Sequence, residues 1–175
     1  MRALIALLLV TATTPIATAG TPYAGWETRP IKALSSQQID DLRDGSGMSL
    51  ALSAELNGYP GPKHILELEG QLELTTAQRQ AVAEAYAKMR EEARGAGDRV
   101  LEAERKLDRL FVTKTADVAS LERLVRQTGE TRSRLRTIHL KYHLEMVHLL
   151  TTEQHERYQR LRGYRASQHL HGKHH

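Results

Sequence analysis

The chain has 175 residues, 40% hydrophobic but 5% aromatic, with no cysteine and 25 Lys and Arg against 21 Asp and Glu. That length suits one domain, and the lack of cysteine excludes disulfides, thiolate metal ligands, cysteine nucleophiles and a lipidated cysteine behind a leader. Charges of alternating sign form no basic block, which argues against a nucleic-acid partner.

Met1 and Arg2 form a short positive start, residues 3–10 are uninterruptedly apolar, and Ala17-Thr18-Ala19 is a small-x-small site before Gly20. Residues 1–19 therefore read as a signal peptide cleaved after Ala19, and the mature chain as periplasmic. Losing Arg2 leaves 24 basic residues against 21 acidic, a formal charge of +3. The apolar run is shorter than the roughly 20 residues a span needs, and no later segment stays uncharged that long, so no membrane span is expected after cleavage.

Residues 20–34 hold Pro22, Gly25 and Pro30 without periodicity and read as a flexible leader, with Tyr23 and Trp26 available to dock on a neighbour. Residues 35–164 read as one helical domain. Ser35 or Ser36 can cap a short helix ending before Gly45, residues 48–56 offer a second, and residues 64–72 a third, with Pro62 near its first turn.

From Thr75 to about Phe111, Val82, Ala85, Tyr86, Met89, Ala93, Val100, Leu107 and Phe111 recur at spacings of one helix face. Gly95 and Gly97 in this segment mark either a kink or a close helix crossing. A short polar connection at 112–116 leads to a second stripe, Leu121, Leu124, Val125, Thr128, Leu135, Tyr142, Met146 and Leu149. Short connections make neighbouring helices antiparallel. Folding the chain at residue 114 sets Ala93 near Leu135, Leu107 near Leu121, and Met89 and Tyr86 near His139 and His143. The expected fold is all-α: a long antiparallel helical hairpin with short N-terminal helices and a short C-terminal helix from Thr152 to about Gly163. Residues 165–175 read as a disordered, His-rich tail.

Leu74-Thr75-Thr76-Ala77-Gln78 and Leu150-Thr151-Thr152-Glu153-Gln154 are one pattern used twice. Thr at the N-cap accepts from the N–H three residues on, and Gln there reaches back to the cap, which is a capping box. Two such motifs bracketing a helical hairpin behind a signal peptide resemble the LTxxQ family of bacterial periplasmic proteins, which includes Spy, CpxP, the zinc-associated ZraP and, more distantly, metal sensors of the CnrX type. The run Ala54-Glu55-Leu56-Asn57-Gly58-Tyr59-Pro60-Gly61-Pro62 is similar to a subgroup labelled Spy/CpxP-like or heavy-metal sensors. The family motif maps to Leu74, Thr75, Gln78, Leu150, Thr151 and Gln154. The apolar-lined cradle of Spy has no position-by-position counterpart.

His139 and His143 share a helix face at a metal-ligand spacing, and Met146 lies within about 20° of His139 around the axis. One reading is a zinc, nickel, cobalt or copper ion held by His139, His143 and Met146, with His64 or Glu67 added from the third short helix. CnrX-type sensors, as the resemblance implies, combine His and Met in such a site. The other reading makes the two histidines core residues bonded to Tyr86 or a backbone carbonyl. The tail histidines His169, His171, His174 and His175 form a separate candidate cluster. No catalytic motif or water-excluding pocket is expected, so the chain reads as non-enzymatic.

The resemblance first implies an ATP-independent stress-response chaperone that binds unfolded or partly folded periplasmic proteins, its apolar surface partly covered in a homodimer. The alternative is a metal-binding or metal-sensing protein using the hairpin histidines. A membrane sensor protein is a third possible partner, as the CpxP resemblance implies.

Overall fold

The first long helix starts where its cap can form. Thr75 Oγ1 accepts from Gln78 N at 3.1 Å and Gln78 Oε1 accepts from Thr75 N at 3.0 Å, closing a capping box. In the computed structural model, which describes residues 21–164, the helix runs without a break as α4, Thr76–Val112. Lys114 then takes a left-handed φ of 54°, and Asp117 caps α5, Val118–Leu149, by accepting from Ser120 N at 3.0 Å. A second capping box, Thr151 with Gln154, opens α6, Thr152–Leu161. The architecture is an all-helical hairpin with no strand among the described residues. Ala93 and Leu135 share a core cluster as expected. The cross-helix pairs Glu92–Tyr142 and Glu104–Arg132 centre the fold on residues 117 and 118, slightly later than the turn expected at 114.

Before the hairpin come α1 (Ser36–Asp44), α2 (Leu52–Glu55) and α3 (Pro62–Glu67). Ser35 and Gln38 cap α1, and Gly45 ends it at φ 66°, a conformation open to glycine without a Cβ penalty. α2 and α3 are shorter than expected. Met48 and Ser49 adopt φ 41° and 59°, so helical backbone cannot start before α2. Beyond α3 the chain breaks into turns, and Glu73 at φ 53° redirects it into the cap of α4.

Two apolar clusters hold these pieces together. In the first, Ile31, Leu34, Ile39 and Leu42 pack on Met89, Ala93 and Val100 of α4 and on Leu135 and Tyr142 of α5. In the second, Ile65 and Leu72 pack on Val82, Met146 and Tyr158. Ile31 and Leu34, within 20–34, are buried in the core, in one cluster with Ile39 and Leu42 of α1. Tyr23 and Trp26 are exposed and meet each other edge to face at 5.3 Å, with the Arg29 guanidinium 3.6 Å over the Trp26 ring.

Gly97 is a close crossing, and the partner is α1. A Cβ there would lie 2.1 Å from the Leu42 carbonyl oxygen, whereas one at Gly95 would meet nothing within 4 Å. The helix continues through both, from Thr76 to Val112.

The two Leu-Thr-x-x-Gln motifs also meet. Gln78 Nε2 donates to Gln154 Oε1 at 2.8 Å and to Leu149 O at 2.8 Å. Gln154 Nε2 returns a bond to Gln78 Oε1 at 3.1 Å and one to Leu72 O at 3.2 Å. Each amide thus uses both N–H groups and both carbonyl lone pairs, and the pair joins the starts of α4 and α6. No helix among the described residues is long and apolar enough to cross a membrane. The expected signal peptide and the tail cluster of His169, His171, His174 and His175 lie outside the described residues.

Candidate functional site

A half-open cavity of about 470 Å³ lies between the hairpin and the chain that crosses it. Its walls are the 45–49 loop, the end of α2, the start of α3, Tyr86, Met89 and Arg90 of α4, His139 and His143 of α5, and Arg162 with Tyr164. Tyr86 and Met89 line this cavity together with the two histidines.

Glu55 anchors one wall. Its carboxylate is buried and accepts from the hydroxyl of Tyr158, from that of Tyr164 at 3.0 Å and from Gly61 N at 3.1 Å. Arg162 Nε lies 3.4 Å from it. Burial, reinforced by the bond to Glu55, pushes the Tyr158 phenol well above its ordinary range. This network fastens the C-terminal helix to the segment between α2 and α3. It also consumes the carboxylate, since most of the lone pairs that a ligand would need are already engaged.

His143 is held by its other nitrogen. Nδ1 donates to Tyr59 O at 2.7 Å, and because a carbonyl only accepts, the neutral ring carries its proton on Nδ1 and its lone pair on Nε2. Gly61 makes room for that edge of the ring: a Cβ at 61 would lie 2.9 Å from both Cε1 and Nε2 of His143. His139 sits one turn earlier, and its Nε2 is buried with no hydrogen-bond partner. Such an orphaned atom costs about 1–3 kcal/mol. Burial, and then the neighbouring His143, hold the His139 imidazole below its ordinary value, so it is a neutral base near pH 7. Of the two partners expected for a core histidine, Tyr86 or a backbone carbonyl, His143 takes the second, Tyr59 O.

His64 also lines the cavity, with Nδ1 2.8 Å from Glu67 Oε2. That bond holds the Glu67 carboxyl below the usual carboxylate range and engages the group that was a candidate ligand. His64, His139 and His143 face one space, yet no three His, Asp or Glu side chains among the described residues gather closely enough to hold one ion. Met146 is elsewhere. Seven residues beyond His139 it lies about 10 Å further along the axis, where Ile65, Val82 and Tyr158 bury it completely.

A family model described as LTXXQ motif family protein matches residues 61–162. The chain belongs to the LTXXQ motif family. That family is periplasmic and generally non-enzymatic, and its matched span covers α3 to α6 together with His64, His139 and His143. The 45–59 part of the cavity wall precedes it. No curated protein and no solved structure matches the chain.

Sequence reasoning missed Met48, Glu55 and Gly61 as parts of this wall, whereas Met89 was placed near the two histidines by its stripe. Glu55 meets partners 103 and 109 residues away, beyond the reach of periodicity. The Pro60-Gly61-Pro62 turn was the available signal, since a rigid turn of fixed direction brings its carbonyls and its one Cβ-free residue to a defined place.

Proposed function

We propose that this LTXXQ protein is a non-enzymatic periplasmic protein that binds a transition-metal ion at the cavity through His139 and His143. The observation that carries the reading is the state of the two rings. One has its Nδ1 proton fixed on a backbone carbonyl, the arrangement that orients a metal-ligating imidazole, and the other keeps a buried nitrogen with no partner. Both rings have a neutral form able to donate a lone pair. Both histidines line the cavity, and Gly61 packs against the Nε2 edge of His143.

Calorimetry tests it on the mature chain with His169, His171, His174 and His175 replaced by alanine, which removes the tail as a competitor. The expected result is one equivalent of zinc, nickel, cobalt or copper ion bound more tightly than about micromolar, with that binding abolished by His143→Ala. Binding that is absent, or indifferent to His143→Ala, overturns the reading.

A chaperone reading rests on a different observation. At the hairpin turn Phe111, Val112, Val118 and Val125 are 56%, 62%, 72% and 51% exposed, an apolar end of the kind that marks a contact surface. This is the surface on which partly folded periplasmic clients, a second copy in a homodimer or a membrane sensor would dock. We rank it second because α1 and the buried Ile31 and Leu34 cover the inner stripes of α4 and α5 that a client cradle would expose. Suppression of client aggregation that is lost in Phe111→Ser/Val118→Ser, with His143→Ala unaffected, would reverse the ranking.

A further inference from the structure

We infer that the ion for which this cavity is built is soft and monovalent, a cuprous ion held by the imidazoles of His139 and His143 together with the thioethers of Met48 and Met89. The inference rests on the metal reading above and deepens it. Four methionines occur in the chain. Met146 is sealed into the second core; Met89 of α4, a buried member of the first core, and Met48 of the 45–49 loop, packed against that core, also line the cavity with the two histidines.

The donor set selects the ion. Among the described residues no three His, Asp or Glu side chains come together on one ion, so a zinc site, which is built from thiolate, imidazole and carboxylate ligands, is incomplete. The one carboxylate on the wall, Glu55, is taken by Tyr158, Tyr164, Arg162 and Gly61. Thioether sulfur is a soft donor, and soft donors select the cuprous ion over harder dications. Imidazole with thioether also needs no thiol, which an oxidising compartment would turn to disulfide.

Charge points the same way. Lys63, Arg90 and Arg162 stand around the cavity against the single carboxylate of Glu55. An entering dication would bring twice the charge of a cuprous ion into that surround and find no anionic ligand to neutralise it. The loop carries a further sign of a built site. Met48 and Ser49 are consecutive non-glycine residues at φ 41° and 59°, a backbone state that persists only where the surroundings over-determine it and that clusters at ligand clamps. Gly45 and Gly47 flank them. The loop so held places Met48 on the cavity wall.

The test uses the full mature chain with the four tail histidines replaced by alanine, titrated without oxygen against a chromogenic cuprous chelator, with silver(I) as a redox-inert probe and zinc(II) and nickel(II) in parallel. Met48→Leu and Met89→Leu conserve volume, and circular dichroism verifies that they fold. The expected result is tight cuprous and silver binding that each Leu variant weakens at least tenfold, about what losing even an outer partner of a ligand costs, with sulfur scatterers in the copper X-ray absorption spectrum. Zinc or nickel bound more tightly than copper, with the Leu variants indifferent and His143→Ala still destructive, overturns the cuprous assignment and leaves the histidine site standing. No binding of any of the four ions, or binding unaffected by His143→Ala, overturns both.

Discussion

The glutamine clasp makes a quantitative prediction about stability. Gln78→Ala removes two bonds donated by its Nε2, to Leu149 O and Gln154 Oε1, and two accepted by its Oε1, from Thr75 N and Gln154 Nε2. A net bond contributes about 1 kcal/mol, and an acceptor stranded away from water costs about 1–3 kcal/mol. Water reaches part of this site, so the expected loss is about 2–4 kcal/mol. At roughly 2–4 °C per kcal/mol for a chain of this size, the melting temperature falls by roughly 4–16 °C. Gln154→Ala should behave alike. The reciprocal pair is removed by either substitution, so the double variant costs less than the two singles together, by about 1–2 kcal/mol in a double-mutant cycle. Urea unfolding followed by circular dichroism on the four proteins measures this. Single losses below about 0.5 kcal/mol, or strict additivity, would show that the motifs only cap their own helices.

The two glycines of α4 respond in opposite directions to alanine. Gly97→Ala drives a Cβ to 2.1 Å from the Leu42 carbonyl and is expected to cost more than about 2 kcal/mol through overpacking, while Gly95→Ala, facing open space, stabilises by up to about 1 kcal/mol through helix propensity; thermal melts of the pair decide it. Glu55→Ala strands the Tyr158 hydroxyl, Gly61 N–H and Arg162, and a loss of about 3–5 kcal/mol, as for breaking a buried ion pair, is expected in chemical denaturation, with a far smaller loss in Glu55→Gln. His139 sets a pH dependence in the metal-free protein. Its folded-state affinity for protons is depressed below the ordinary 6.5, so the unfolded chain takes up the proton first and stability declines as pH falls below about 6.5, until the folded form also protonates. His139→Gln removes that part of the slope and changes nothing above about pH 7.5; identical pH profiles for the two proteins would contradict the assignment.

Much of the fold was legible because its ends are written locally. Thr75 with Gln78, Thr151 with Gln154 and Gly45 are start and stop signals that act within one turn, and the structure uses each of them as one. The stripes also put Met89 and Tyr86 near His139 and His143, and all four line one cavity, although the hairpin turns three to four residues later than expected. What escaped depends on distant chain. Ile31 and Leu34 looked like leader because no period surrounds them, and their burial follows from α1 lying across the hairpin at Gly97. The clasp between Gln78 and Gln154 was invisible because a capping box explains each glutamine alone. At the candidate site, His139 and His143 were read as sharing one face, and both line the cavity, but Met146, one turn beyond His143, is buried with Ile65, Val82 and Tyr158 in the second core. Met48 was hidden by a loop whose left-handed residues carry no sequence mark of that conformation.

The central claim is that His139 and His143 offer two free imidazole nitrogens to one ion. Nitrogen NMR of the histidine rings, on the mature chain with the tail histidines replaced and one equivalent of metal added, tests it most directly. The Nε2 resonances of His139 and His143 should move together, saturating at one equivalent, while Nδ1 of His143 keeps its proton on the Tyr59 carbonyl. If both rings stay unmoved at saturating metal, or if only His148 or His155 responds, the cavity is not a metal site and the two histidines belong to the core.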